Sequence, residues 1–169
     1  MNTKPSTILR PGFGVKQPNS KDCFVCGLIN PVGLSLSFFD NGVDQVETEF
    51  TAPDHFQGYP GILHGGIVAA LLDEVSGRTV MIDDPNCFMM TAKLDIRYRQ
   101  PVPLSVKLRI TGTLIQKRRR IAKALAQIWL PDGTLAAEAD TTLAGDPLYV
   151  MDGDLLKDLG WKIYPDGAS

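Results

Sequence analysis

Cysteine is scarce in this chain, three in 169 residues, and histidine scarcer still, with two. Three cysteines make no disulfide framework, so Cys23, Cys26 and Cys87 are read as reduced thiols. Cys23 and Cys26 have the spacing of half a zinc site, but no second pair follows. Four ligands would require Cys87, a histidine or another subunit, so no metal and no redox cofactor is expected. Charge of one sign is also lacking. Against 17 Lys+Arg stand 19 Asp+Glu, a formal net charge of -2, which leaves no field to gather nucleic acid or anionic lipid. No uninterrupted apolar run approaches the about 18 residues of a membrane span, and residues 1–16 lack the apolar stretch of a secretion signal. A cytoplasmic location is therefore expected. What is present, 44% hydrophobic and 21% charged residues, describes one folded domain long enough to bury a sizeable core.

Residues 1–22, rich in Pro, Gly, Asn, Ser and Lys without sustained period, read as a loosely ordered arm. Alternation begins at Leu34, Leu36 and Phe38 and resumes at Val46, Thr48 and Phe50, with Asn41-Gly42 between, a strong hairpin signal. After a loop of turn formers, His64 to Val80 runs without proline and reads as the one long helix. Met90, Ala92, Leu94, Ile96 and Tyr98 then alternate with Thr91, Lys93, Asp95, Arg97 and Arg99, predicting a strand with one apolar and one polar face. Further strands are expected from Val106, at Ile121–Leu130 and at Thr134–Leu143, with Gln116–Arg120 as a polar hairpin tip. About six strands in hairpin-like succession favour an α+β fold, an antiparallel sheet on a single helix. The tail, 145–169, is expected to add a short helix near Asp152–Leu159, anchored by Trp161.

The long helix carries Gly65, Gly66 and Gly77, and an interior glycine costs about 0.5–1 kcal/mol relative to Ala. At 100° per residue, Gly66, Ala69, Ala70, Asp73, Gly77 and Val80 share a side on which Asp73 is the only charge. Glu74 has Arg78 four residues on, the spacing of a surface or rim ion pair, whereas Asp73 has no partner in its own helix. Asp73 is thus either a structural carboxylate bonded to an amide across an interface or a group with catalytic work. At the helix start, N–H groups of Gly65 and Gly66 lack intrahelical acceptors and could receive a carbonyl or oxyanion. An acid and an oxyanion site on one helix point to hydrolysis of an acyl compound.

The run Tyr59 to Glu74, with His64-Gly65-Gly66 and Asp73 eight residues after Gly65, resembles the signature of hotdog-fold acyl-CoA thioesterases of the phenylacetic-acid-degradation type. Cys23-Phe24-Val25-Cys26-Gly27, Asn30-Pro31 and Gly33-Leu34-Ser35-Leu36 resemble the N-terminal segment of a branch of that family. The similarity spans about 23–144, which it implies is a hotdog domain: one long central helix wrapped by an antiparallel sheet. It further implies hydrolysis of acyl-CoA to a carboxylic acid and CoA without a cofactor. By the resemblance, the Gly65 amide would polarise the thioester carbonyl, with Gly66 assisting in shape, and Asp73 would be general base or nucleophile. Thr91 would position the water, its other reading being a solvent-facing strand residue. His64 would orient the helix start in preference to acting as an acid. Gln57 lies near the position of a further family contact. Relatives build the site between two subunits, so a homodimer or homotetramer is expected.

Lys117, Arg118, Arg119 and Arg120 read either as a solvated turn or as a contact for CoA phosphates. His55-Phe56, followed by Gly58, Pro60 and Gly61, resembles the His-Phe-Pro-Gly segment of hotdog acyl-carrier-protein dehydratases. Those place a helix Glu about fourteen residues further on, where this chain has Ala69, so dehydration is disfavoured. The competing class is a non-catalytic acyl or acyl-CoA binding protein with the same fold.

Overall fold

A computed structural model describes residues 9–10, 14–145 and 151–165. Its strands are β1 (Leu9–Arg10), β2 (Gly14–Lys16), β3 (Phe39–Asp40), β4 (Gln45–Thr51), β5 (Met90–Tyr98), β6 (Lys107–Arg118), β7 (Ile121–Trp129) and β8 (Leu135–Ala144). They form one sheet in the order β1-β2-β3-β4-β6-β7-β8-β5, every pairing antiparallel. The long helix, α1 (Gly65–Arg78), lies across the sheet and touches β4, β5, β6, β7 and β8. A short helix, α2 (Gly153–Asp158), follows the sheet. The α+β class and the helix-on-sheet architecture agree with the sequence reading.

Val68, Leu71, Leu72 and Val75 of α1 are buried against Val46, Leu108, Ile110, Ala126, Ile128, Ala137 and Ala139 of the sheet. Small residues on β7 and β8 let the helix settle closely. At Gly112 the approach is tightest: a Cβ there would lie 2.6 Å from the Val75 carbonyl oxygen, so β6 can cross under α1 only at glycine.

Four features differ from the sequence reading. The sheet has eight strands, because the supposed arm supplies two more. Residues 14–22 are part of the fold: Lys16, Gln17, Asn19 and Ser20 are buried, and Asn19 Nδ2 donates to the carbonyls of Cys26 and Leu36, each at 2.7 Å. Residues 1–8 and 11–13 of that arm lie outside the described residues. Leu34, Leu36 and Phe38 are buried as their alternation requires, but 34–38 is no ladder strand. Ser35 turns at φ 53, and Leu34 and Leu36 donate their N–H groups to Phe24 and Val25 instead. The polar hairpin tip shrinks to Arg119-Arg120, since β6 runs on to Arg118. Finally, β5 is an edge strand paired only with β8, and its expected apolar face is largely uncovered, with Met90 and Tyr98 exposed.

Trp161 anchors the tail as expected. Its ring meets Phe88 at 5.0 Å, and Asn19 bridges to Lys162, so the segments before and after the central domain meet beside the C-terminal end of α1. Among the described residues no helix is long and apolar enough to cross a membrane.

Candidate active site

The helix start is built locally. His64 is the N-cap, and its Nδ1 accepts the Gly66 N–H at 2.9 Å, which satisfies one of the orphan donors of the first turn. A Cβ on Gly66 would fall 3.0 Å from that nitrogen, so glycine there makes room for the imidazole. His64 thus caps the helix start. The Gly65 N–H donates to no acceptor among the described residues, and Tyr98 Oη donates to the Gly65 carbonyl at 2.9 Å from the end of β5. Gln57, whose Oε1 accepts the Gly61 N–H at 2.9 Å, braces the loop before the helix.

Asp73 lies two turns further along and is half-buried. Thr91 Oγ1 donates to its Oδ1 at 2.6 Å, a charge-assisted bond that fixes the carboxylate. The strict alternation of β5 placed Thr91 with Lys93 on the polar face, and the structure corrects this. A bulge between Thr91 and Lys93 shifts the register, so Thr91 pairs with buried Leu143 and Leu94 with buried Thr141. Both then face α1.

Asp73 and Thr91 line a cavity of about 400 Å³ together with Gly77, the Phe88–Met90 segment, Trp161, Cys23, Cys26, Glu74 and Arg78. Apart from its own stretch of helix backbone, no described atom lies within 4 Å of where a Gly77 Cβ would sit, so this glycine widens the cavity. Gly65 lines separate pockets, with Tyr59, Ile62 and Leu63. Eight residues of helix put about 12 Å between Gly65 and Asp73 in one chain. The acid and the amide therefore do not converge on one atom within a single chain.

The Glu74–Arg78 pair is not on the surface. Arg78 is 1% exposed; its Nε donates to Glu74 Oε1 at 2.9 Å, its Nη1 to the Pro18 carbonyl at 2.6 Å, and its guanidinium lies over Phe38 and Trp161. The neighbouring Cys23 thiol is held down to about 6, chiefly by the hydrogen bond from the Cys26 thiol, with backbone N–H groups of Cys26 and Val25 assisting against burial. Cys26, as donor in that pair and buried, is pushed up. Sequence reasoning missed this cluster, because its members come from four separate segments, around Pro18–Cys26, Phe38, Glu74–Arg78 and Trp161.

Arg118, Arg119 and Arg120 are exposed at the β6–β7 turn, and none lines the Asp73 cavity. None of the three forms an ion pair among the described residues. His55, whose ring meets that of Phe56 at a tilt of 56° with centroids 4.4 Å apart, lines neither the Asp73 cavity nor the Gly65 pockets.

Residues 60–137 match the family model of the Thioesterase superfamily. The chain is 34% identical over 74 residues to the mouse acyl-coenzyme A thioesterase THEM4, covering 43% of this chain and 31% of that protein. It thus spans about a third of the length of the curated relatives it matches. Among solved structures, the thioesterase superfamily protein RHA08564 superposes with a TM-score of 0.66 at 28% identity, over 74% of this chain and 61% of that one. The protein smu.793 from Streptococcus mutans, solved bound to acetyl CoA, has the same fold, with a TM-score of 0.59 at 20% identity over 64% of this chain and 86% of that one. Residues 60–137 are thus similar to the Thioesterase superfamily, and the fold is the one these solved structures share.

Proposed function

We propose that this protein hydrolyses acyl-CoA thioesters to a carboxylic acid and CoA, in a site completed by a second copy of the chain. The observation that carries the reading is the 2.6 Å bond from Thr91 Oγ1 to Asp73 Oδ1, which aims a carboxylate into an open cavity. The mouse relative's name and the acetyl CoA bound to smu.793 support the substrate class.

Thr91 occupies one carboxylate oxygen and leaves the other free for water. Asp73 takes a proton from that water while its oxygen adds to the thioester carbon. The oxyanion accepts the free Gly65 N–H at the helix N-terminus, where the dipole favours negative charge. The C–S bond then breaks, and the CoA thiolate leaves and takes up the proton held by Asp73. Water attack is favoured over attack by Asp73 itself because the Thr91 bond reduces the carboxylate's nucleophilicity. In a single turnover in 18O-water, label in Asp73 and not in the acid would show attack by Asp73 itself, whereas direct water attack places the label in the acid.

A second subunit is required because Gly65 and Asp73 stand about 12 Å apart in one chain. The exposed edge strand β5, with Met90 and Tyr98 uncovered, is the surface suited to pair with a second copy. Gly66 supports the cap and Gln57 the adjoining loop. Arg118, Arg119 and Arg120, which have no carboxylate partner among the described residues, offer guanidinium groups for the CoA phosphates. The test is free-thiol release from a panel of acyl-CoA thioesters. Release by the wild type but not by Asp73→Asn is expected; CoA binding without release by the wild type would make it a binding protein.

A further inference from the structure

The Asp73 cavity has a second wall that the hydrolytic reading does not use. Cys23-Phe24-Val25-Cys26-Gly27 folds into a turn in which the N–H groups of Val25 and Cys26 both donate to Cys23 Sγ at 3.3 Å. The Gly27 N–H closes the turn on the Cys23 carbonyl at 2.9 Å. A Cβ on Gly27 would fall 2.2 Å from that oxygen, so only glycine fits. The turn sets both thiols toward α1, where Glu74 Oε2 lies 3.9 Å from Cys23 Sγ. One ligand atom from each of Cys23, Cys26 and Glu74 lies within 4.8 Å of the other two.

We propose that Cys23, Cys26 and Glu74 form a zinc site that ties the N-terminal turn to α1 in the wall of the substrate cavity. Two sulfurs and one carboxylate oxygen are a donor set for a borderline-soft tetrahedral dication. With Zn–S near 2.3 Å and Zn–O near 2.0 Å, tetrahedral ligands stand about 3.5 Å apart, so the 3.9 Å separation closes with a small side-chain shift. Backbone amides aimed at Cys23 Sγ stabilise a metal-bound thiolate. Arg78 holds Glu74 Oε1 at 2.9 Å and leaves Oε2 for the metal, an outer partner of the kind that orients ligating carboxylates.

The charge balance accommodates the metal. Arg78 is buried and paired with Glu74. Two thiolates and a carboxylate balance one guanidinium and one zinc dication, so the filled site buries no net charge. The fourth position opens on the cavity and takes water. The sequence showed only half a site because the third ligand lies 48 residues beyond Cys26, on the helix.

Elemental analysis of protein purified without chelator or metal-affinity steps tests this directly. One zinc per chain is expected in the wild type and in Thr91→Val, falling below about a tenth in Cys23→Ser and Cys26→Ser. Glu74→Gln is expected to weaken zinc at least about tenfold in chelator competition. Cobalt substitution of the wild type needs no variant to fold, and should give a thiolate-to-cobalt charge-transfer band with intense tetrahedral visible bands. A wild type that takes up no zinc after incubation and dialysis would overturn the proposal. So would serine variants with a full complement, a pale octahedral cobalt spectrum, or a Cys23–Cys26 disulfide in place of metal. These readouts do not depend on thiol release and stand whether or not the hydrolytic reading holds.

Discussion

At its N-terminal end α1 is governed by neighbours in sequence: His64 caps Gly66, Gln57 braces Gly61, and the Gly65 amide is left free. Its C-terminal end is held by residues from across the chain. Arg78 meets Pro18, Phe38 and Trp161, while Asp73 meets Thr91. The first end presents a backbone donor to solvent, where a local motif suffices. The second keeps ionisable groups half-buried or buried, which requires partners that only the tertiary fold supplies. One helix therefore carries a short-range site at one end and a long-range site at the other.

Arg78→Met strikes the long-range end hardest. It leaves Glu74 without its partner and opens the contact with Pro18, and is expected to cost about 3–5 kcal/mol in urea unfolding, a large part of a domain's stability. If the stability were unchanged, the two ends would not differ as described. Asp73→Asn is expected to keep the fold by circular dichroism and lower thiol release about 10³-fold or more. Gly65→Pro attacks the short-range end alone. Proline is tolerated at the first helical position, and His64 at ψ 133 suits the residue before it, so the fold survives while the amide is lost. A fall of about 10²–10³ in kcat is expected. Thr91→Val sharpens the comparison with the smallest change, about tenfold in kcat with little change in KM, because the carboxylate loses its orienting donor but not its charge.

The same contrast explains what could be read before the structure. The helix, its cap and the Gly65–Asp73 spacing were legible because a 3.6-residue period and a local motif encode them. Four of the strands emerged within a few residues of their bounds, at β4, β5, β7 and β8. What escaped was non-local. A single-residue bulge set Thr91, which stays exposed, on the helix side of the sheet within reach of Asp73, and alternation cannot show where register slips. The i, i+4 spacing of Glu74 and Arg78 was visible, but not that Phe38 and Trp161 would close over the pair. Residues 14–22 read as an arm because their polar side chains bond to backbone groups far away in sequence, a use that composition cannot distinguish from solvation.

The central claim is that Asp73 of one chain works with Gly65 of another. It is tested most directly by co-expressing Asp73→Asn and Gly65→Pro chains and assaying thiol release from the mixture. A site shared between subunits leaves each mixed dimer with one intact Asp73–Gly65 pair out of two. Random pairing should then restore about a quarter of wild-type activity from two silent parents. A site contained within one chain has no intact pair in any combination, and a mixture as silent as its parents would contradict the account.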